Sequence, residues 1–168
     1  MIFAASVVLD VLRLLVALPL LAASTPPPDP VRPDPVLTPG AVLSANPDRF
    51  CYPGYSNTVR HTTDGMKRRV FAAYGIPQDS ARYEIDHLIP LSLGGADVPA
   101  NLWPQSYETF PYNAHVKDRL EMKLLGLVCG GKLSARQAQA DIARDWVAAY
   151  RLYCAAGCIG AGAMRPEQ

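Results

Sequence analysis

The residues YEIDHLIPLSLGG (83–95), ANLWPQ (100–105) and NAHVKDRLE (113–121) decide how the rest of this chain is read. Tyr83 to Pro90 predicts a strand, with Ile85, Leu88 and Ile89 around Asp86 and His87. Pro90 begins its end because proline offers no ladder donor. Gly94 and Gly95 permit the positive-φ geometry of a loop, after which Asn101 to Trp103 can return as a second strand. From Asn113 onward the pattern turns helical: Val116, Leu120, Lys123 and Leu124 recur every three to four residues, and Lys117 sits one turn before Glu121. The predicted unit is strand, loop, strand, helix, within an α+β domain.

That order gathers Asp86 and His87 on the first strand, Asn101 after the loop, and Asn113 with His115 at the helix start. A carboxylate, an imidazole and an amide are what one-metal phosphodiester hydrolysis needs. A hard divalent cation takes oxygen ligands, keeps several waters and binds phosphate directly. It neutralises charge on the phosphate and the leaving oxygen, while a neutral histidine removes a proton from water. Histidine suits that task because its ordinary pKa is about 6.5. Adjacent strand residues point to opposite faces, so Asp86 and His87 reach one phosphate only if the strand twists or bulges there.

D-H at 86–87, G-G at 94–95, N-L at 101–102 and N-x-x-x-K at 113–117 together resemble the HNH endonuclease family, the ββα-metal nucleases. The fuller pattern DHLIPLSLGG, NLWPQ and KDRLE is similar to a small bacterial branch with a C-terminal helix. The resemblance is close over residues 83–121 and extends over most of the chain after Cys51. It implies a ββα-metal hairpin and helix clasping one divalent ion, Mg²⁺ first, with Mn²⁺ or Zn²⁺ as substitutes. His87 would be the general base and Asp86 a metal ligand. Asn101 would be the middle residue of the H-N-H set, orienting loop and base. Many members carry a histidine three residues before the helix lysine. Here that place is Ala114, flanked by Asn113 and His115. Asn113 is the favoured second ligand, because an amide oxygen suits a hard ion; His115 is the competitor. The implied activity is metal-dependent endonucleolytic hydrolysis with low sequence selectivity, on DNA before RNA.

Each residue also has a plainer reading. Asp86 and His87 can be a surface pair without a metal, and Asn101 a turn residue. Glu84, on the same strand face as Asp86, reads as a solvated charge rather than an extra ligand. Lys117 and Glu121 fit an i,i+4 pair, while Lys117 with Arg119 equally suits phosphate contact. Trp103 and Tyr107 read as core or rim aromatics. Two further readings of the whole chain stand beside the enzyme: a non-catalytic nucleic-acid-binding module, and an envelope structural or interaction protein that needs no divalent ion.

The 168 residues suit one domain of ordinary size. With 16 basic against 15 acidic residues, bulk charge weighs against a high-affinity, sequence-specific nucleic-acid binder but not against a nuclease with local positive charge. Arg60, Lys67, Arg68 and Arg69 form the most basic cluster, which can lie along a phosphate backbone or serve as a solvated helix face. Thr63 or Asp64 caps a helix running through Tyr74, with Gly75 as its stop and Val70, Phe71 and Tyr74 facing inward.

Residues 1–24 read as a signal peptide, with an uncleaved N-terminal anchor as the alternative. Residues 25–47 hold eight of the 16 prolines and read as an extended linker, so the folded nuclease-like domain is expected over 48–158 and a fraying tail over 159–168. The expected location is therefore periplasmic or secreted, with membrane contact only through an uncleaved anchor and no stable protein partner inferred. Cys51, Cys129, Cys154 and Cys158 allow three pairings. Cys51 with Cys129 and Cys154 with Cys158 is preferred, because the first pair would staple the start of the domain to the end of the 113-onward helix. Ser134 with Gln137 predicts a capping box, and the helix Ala135 to Tyr153 turns Ala138, Ile142, Trp146, Ala149, Tyr150 and Tyr153 to one face as core.

Overall fold

Asn101 organises the hairpin. β1 (Tyr83–His87) pairs antiparallel with β2 (Leu102–Ser106), setting Asp86 opposite Trp103 and His87 opposite Leu102. The first strand stops at His87, three residues short of Pro90. Beyond it the ladder is replaced by a side chain: Asn101 Oδ1 accepts from the Ile89 N–H at 2.9 Å, and its Nδ2 donates to the Ile89 and Ala96 carbonyls. A single fully buried amide thus closes the loop between the strands. Gly94 turns it at φ +77°, and a Cβ on Gly95 would sit 1.9 Å from the Ile89 carbonyl oxygen, so only glycine fits there.

The computed structural model describes residues 31–158, so the export segment, residues 25–30 and the tail expected over 159–168 lie outside it. α1 (Tyr55–Val59) and α2 (Asp64–Ala73) precede the hairpin, while α3 (Ala114–Cys129) and α4 (Ala135–Tyr153) follow it. The fold is α+β: helices around a two-stranded antiparallel sheet. Thr63 caps α2 by accepting from the Met66 N–H, and Gly75, at φ +62°, follows its C-terminal turn. Val70 of α2 and Tyr74, its C-cap residue, pack on Leu88, Leu102 and Trp103. The larger core joins α3 and α4 through Leu120, Leu124, Val128, Ala138, Ile142 and Trp146.

Ser134 caps α4 through the Gln137 N–H, but the Gln137 amide reaches forward to Asp141, so the capping box is one-sided. α4 is also kinked. Asp145 is extended (φ −163°, ψ 98°) and its Oδ1 accepts from the Val147 and Ala148 N–H groups, restarting the helix as an internal cap.

The proline-rich stretch is not a linker from Val31 onward. Arg32 pairs with Asp145 at 3.0 Å, the Trp146 indole donates to the Val31 carbonyl, and Thr38 is buried between the Tyr74 hydroxyl and the Leu102 carbonyl. Val42 bridges Gly95. The folded unit therefore includes the strap from Val31 onward, ahead of the start expected at residue 48. Proline favours the extended backbone of this strap but leaves its carbonyls free to accept, and here they find donors.

Both preferred disulfides form. Cys51–Cys129 spans 78 residues and ties the segment before α1 to the end of α3, while Cys154–Cys158 closes the chain after α4. Two disulfides fit an oxidising compartment. Among the described residues no helix is long and apolar enough to cross a membrane.

Candidate functional site

A polar cleft of about 200 Å³ opens where β1 meets α3. β1 contributes Glu84, Asp86 and His87, α3 contributes Asp118 and Glu121, and Ser56 of α1 and Arg60, the residue just after it, complete the polar lining. Asp86 and His87 line the same cleft although they are sequence neighbours, because His87 is the last residue of its strand.

Four carboxylates in so small a space repel one another. Burial, then the charges of Asp86 and Asp118, push Glu84 up to about 7, although the Tyr107 hydroxyl donates to it at 3.1 Å. Burial and Asp86 likewise raise Asp118. Burial raises Glu121 against the opposing pull of Lys117. Tyr107 is itself pushed to about 12 by burial and by Glu84.

Lys117 is the internal counter-charge. Its Nζ is fully buried, 2.8 Å from the His87 carbonyl, 2.7 Å from Asp86 Oδ2 and 2.5 Å from Glu121 Oε1. Burial alone would lower its pKa, but Asp86 and Glu121 hold it raised, so it stays protonated. Asp86 Oδ2 is thereby ion-paired with this buried ammonium.

His87 is 4 % exposed. Burial holds its pKa below the ordinary value, opposed by hydrogen bonding to Asp97 and by the charges of Asp86 and Asp97, so it is neutral near pH 7. Its Nε2 lies 2.8 Å from Asp97 Oδ1. Burial would raise Asp97, but donors from Thr62, the His61 backbone and His87 hold it below the usual carboxylate range.

Several expected site residues fall elsewhere. The Asn113 side chain is occupied as the cap of α3, accepting from the Val116 N–H at 3.2 Å, and it does not line the cleft. His115 does not line it either; it is exposed and stacks on Tyr107 with ring centroids 5.3 Å apart. The α3 carboxylates that line the cleft with Asp86 are instead Asp118 and Glu121. Glu84 is half-buried in the cleft rather than solvated. Lys117 is fully buried and cannot touch a phosphate backbone. Arg119 donates to the His115 carbonyl. Arg60 lines the cleft, whereas Lys67, Arg68 and Arg69 lie on α2 outside it, with Lys67 3.8 Å from Asp64.

Asp118 was legible in principle: Asp118 and Glu121 are three apart on a helix and share a face. Asp97 gave no such signal, since it lies in a loop with no periodicity. Among the described residues no group of three or more His, Cys, Asp or Glu is arranged as a metal site. No family model, curated protein or solved structure matches the chain.

Proposed function

We propose that the chain is a metal-dependent endonuclease of HNH type, in which the hairpin and α3 act as a ββα-metal unit. The observation that carries this reading is the juxtaposition, in one polar cleft, of Asp86, Asp118 and a neutral His87, with Arg60 at the same cleft. Two carboxylates lining one cleft suit a hard divalent cation that completes its shell with water and substrate phosphate. Mg²⁺ fits that pattern best, with Mn²⁺ or Zn²⁺ as substitutes. Asp86 and Asp118 would hold it, with Glu84 close enough to join.

A cation bound there would offset charge on the phosphate and on the departing oxygen. The protein's own groups supply the rest. His87 accepts a proton from water as the water oxygen attacks phosphorus, and the bond from phosphorus to the 3′ oxygen breaks. Arg60 holds the phosphate against the carboxylates by charge and hydrogen bonding. Lys117 keeps the strand end and Asp86 fixed without reaching the substrate. With one cleft arginine and no base-reading element proposed, contacts are to backbone phosphate, which gives low sequence selectivity. DNA is the first substrate to try, RNA the second.

The test is cleavage of supercoiled plasmid by oxidised protein in Mg²⁺ with and without chelator, beside His87→Ala. Ion-dependent nicking that disappears in His87→Ala, with the fold intact by circular dichroism, supports the reading. Failure of folded wild type to cut DNA or RNA in Mg²⁺, Mn²⁺ or Zn²⁺ would overturn it. The non-catalytic binding reading draws on one observation: Lys117 already compensates Asp86 and Glu121. It predicts nucleic-acid binding unchanged by chelator and no turnover.

A further inference from the structure

Among the described residues the His87 side chain hydrogen-bonds one residue, and it lies outside the hairpin strands. Its Nε2 lies 2.8 Å from Asp97 Oδ1, with the two side chains only 5 % and 4 % exposed. Asp97 also accepts from the Thr62 hydroxyl through Oδ1 and from the His61 backbone N–H through Oδ2. An ionised carboxylate only accepts and a backbone N–H only donates. His87 Nε2 therefore carries the ring proton, and the basic lone pair is on Nδ1.

We infer that Asp97 is the positioning residue of this site: it fixes the tautomer and orientation of His87 and, through His61 and Thr62, ties the connection that carries Arg60 to the same imidazole. This rests on the reading of His87 as general base. The arrangement follows the general logic of a base oriented by a third group, which prepares the imidazole to take a proton and steadies the cation that forms. It also couples the two sides of the cleft. Arg60 precedes His61 directly in the chain, so the phosphate-holding arginine and the base share one buried carboxylate as their anchor.

Asp97→Asn isolates this role because it changes almost no volume. The His61 N–H cannot reverse, so it keeps the amide oxygen, and the new NH₂ faces His87 Nε2 and the Thr62 hydroxyl, both of which can accept. His87 must then move its proton to Nδ1, which removes the lone pair that takes the proton from water. The experiment is ¹⁵N NMR of the histidine rings at neutral pH, with kcat and KM for Mg²⁺-dependent cleavage measured on the same samples.

The expected result is an Nε2–H tautomer for wild-type His87 and an Nδ1–H tautomer in Asp97→Asn, with kcat lowered by about 10²- to 10⁴-fold and KM changed little. An Nδ1–H tautomer in the wild type overturns the inference, and this needs no variant to fold. An Asp97→Asn protein with wild-type spectrum and wild-type kcat also overturns it, while leaving the nuclease reading intact. A tautomer switch with no change in a measurable kcat would remove His87 from the reaction and sink the catalytic role. A tautomer switch in a protein whose wild type cuts nothing would uphold the positioning of His87 by Asp97 and reject the nuclease reading alone.

Discussion

The Lys117 ammonium group lies 2.8 Å from the carbonyl oxygen of His87 and 2.7 Å from the carboxylate of Asp86. One side chain from α3 thus grips both the backbone and a side chain at the end of β1. The helix lysine that reads from sequence as a phosphate contact is an internal brace, and it holds the two residues on which the cleft depends in register with α3.

Replacing Lys117 by Met keeps the volume and removes the charge, leaving Asp86 and Glu121 buried without their cation. The expected loss is roughly 3–5 kcal/mol of unfolding free energy, the range for breaking a buried ion pair on one side. Urea denaturation at neutral pH measures it. A loss below about 1 kcal/mol would mean that the carboxylates are not held ionised by Lys117.

Asn113, favoured from sequence, and Asp118, which lines the cleft, are the rival second ligands of the proposed ion, and one pair of variants separates them. Asn113→Ala should cost about 1 kcal/mol through the lost cap of α3 and leave cleavage in place. Asp118→Asn should lower Mg²⁺-dependent cleavage by on the order of 10²-fold or more and abolish any thermal shift on adding Mg²⁺. The reverse pattern would return the ligand role to Asn113.

The two disulfides should differ in worth. Loop-closure entropy gives about 4 kcal/mol for the long Cys51–Cys129 bridge and about half as much for the short Cys154–Cys158 bridge. Cys51→Ser with Cys129→Ser should therefore lower the urea midpoint more than Cys154→Ser with Cys158→Ser. Equal midpoints would show that the long loop is already restrained when unfolded.

The strap over α4 should loosen in acid. Burial would raise the pKa of Asp145, but the Arg32 guanidinium and the Ala148 and Val147 N–H groups hold it below the usual range. A folded value below the unfolded value of about 3.9 stabilises the fold fully above that pH, and the contribution disappears as pH falls through the lower folded value. Arg32 and Asp145 are 40 % and 32 % exposed, so the ion pair contributes less than about 1 kcal/mol after solvent screening. The stability gap between wild type and Arg32→Gln should be present at neutral pH and close on acidification below about pH 4. A gap that persists at lower pH would assign it to packing.

Local signals carried the hairpin and the helix starts at Thr63 (or Asp64), Asn113 and Ser134, since each is written in residues close to one another, whereas four cysteines allow three pairings and the one formed was a preference among them. The end of β1 was not legible, because Asn101 supplies from its side chain what the ladder would have supplied. Nor was the kink at Asp145: the apolar face from Ala138 to Tyr153 runs through it without proline or glycine. Proline content identified residues 31–47 as extended but could not say that they dock, for the partner of Arg32 lies 113 residues further on. At the site, the first-strand pair and Asn101 were placed by pattern. Asp97 required the three-dimensional meeting of a loop with the end of β1.

The strap also fixes when the molecule can finish assembling. Val31 and Arg32, at the start of the described chain, are held by Trp146 and Asp145, more than a hundred residues later. Synthesis proceeds from the N-terminus, so Val31 and Arg32 wait for α4 to emerge, and the Cys51 thiol waits for Cys129. The body cannot be completed piece by piece as it leaves the ribosome; its first and last segments close together, after the whole sequence through α4 is available.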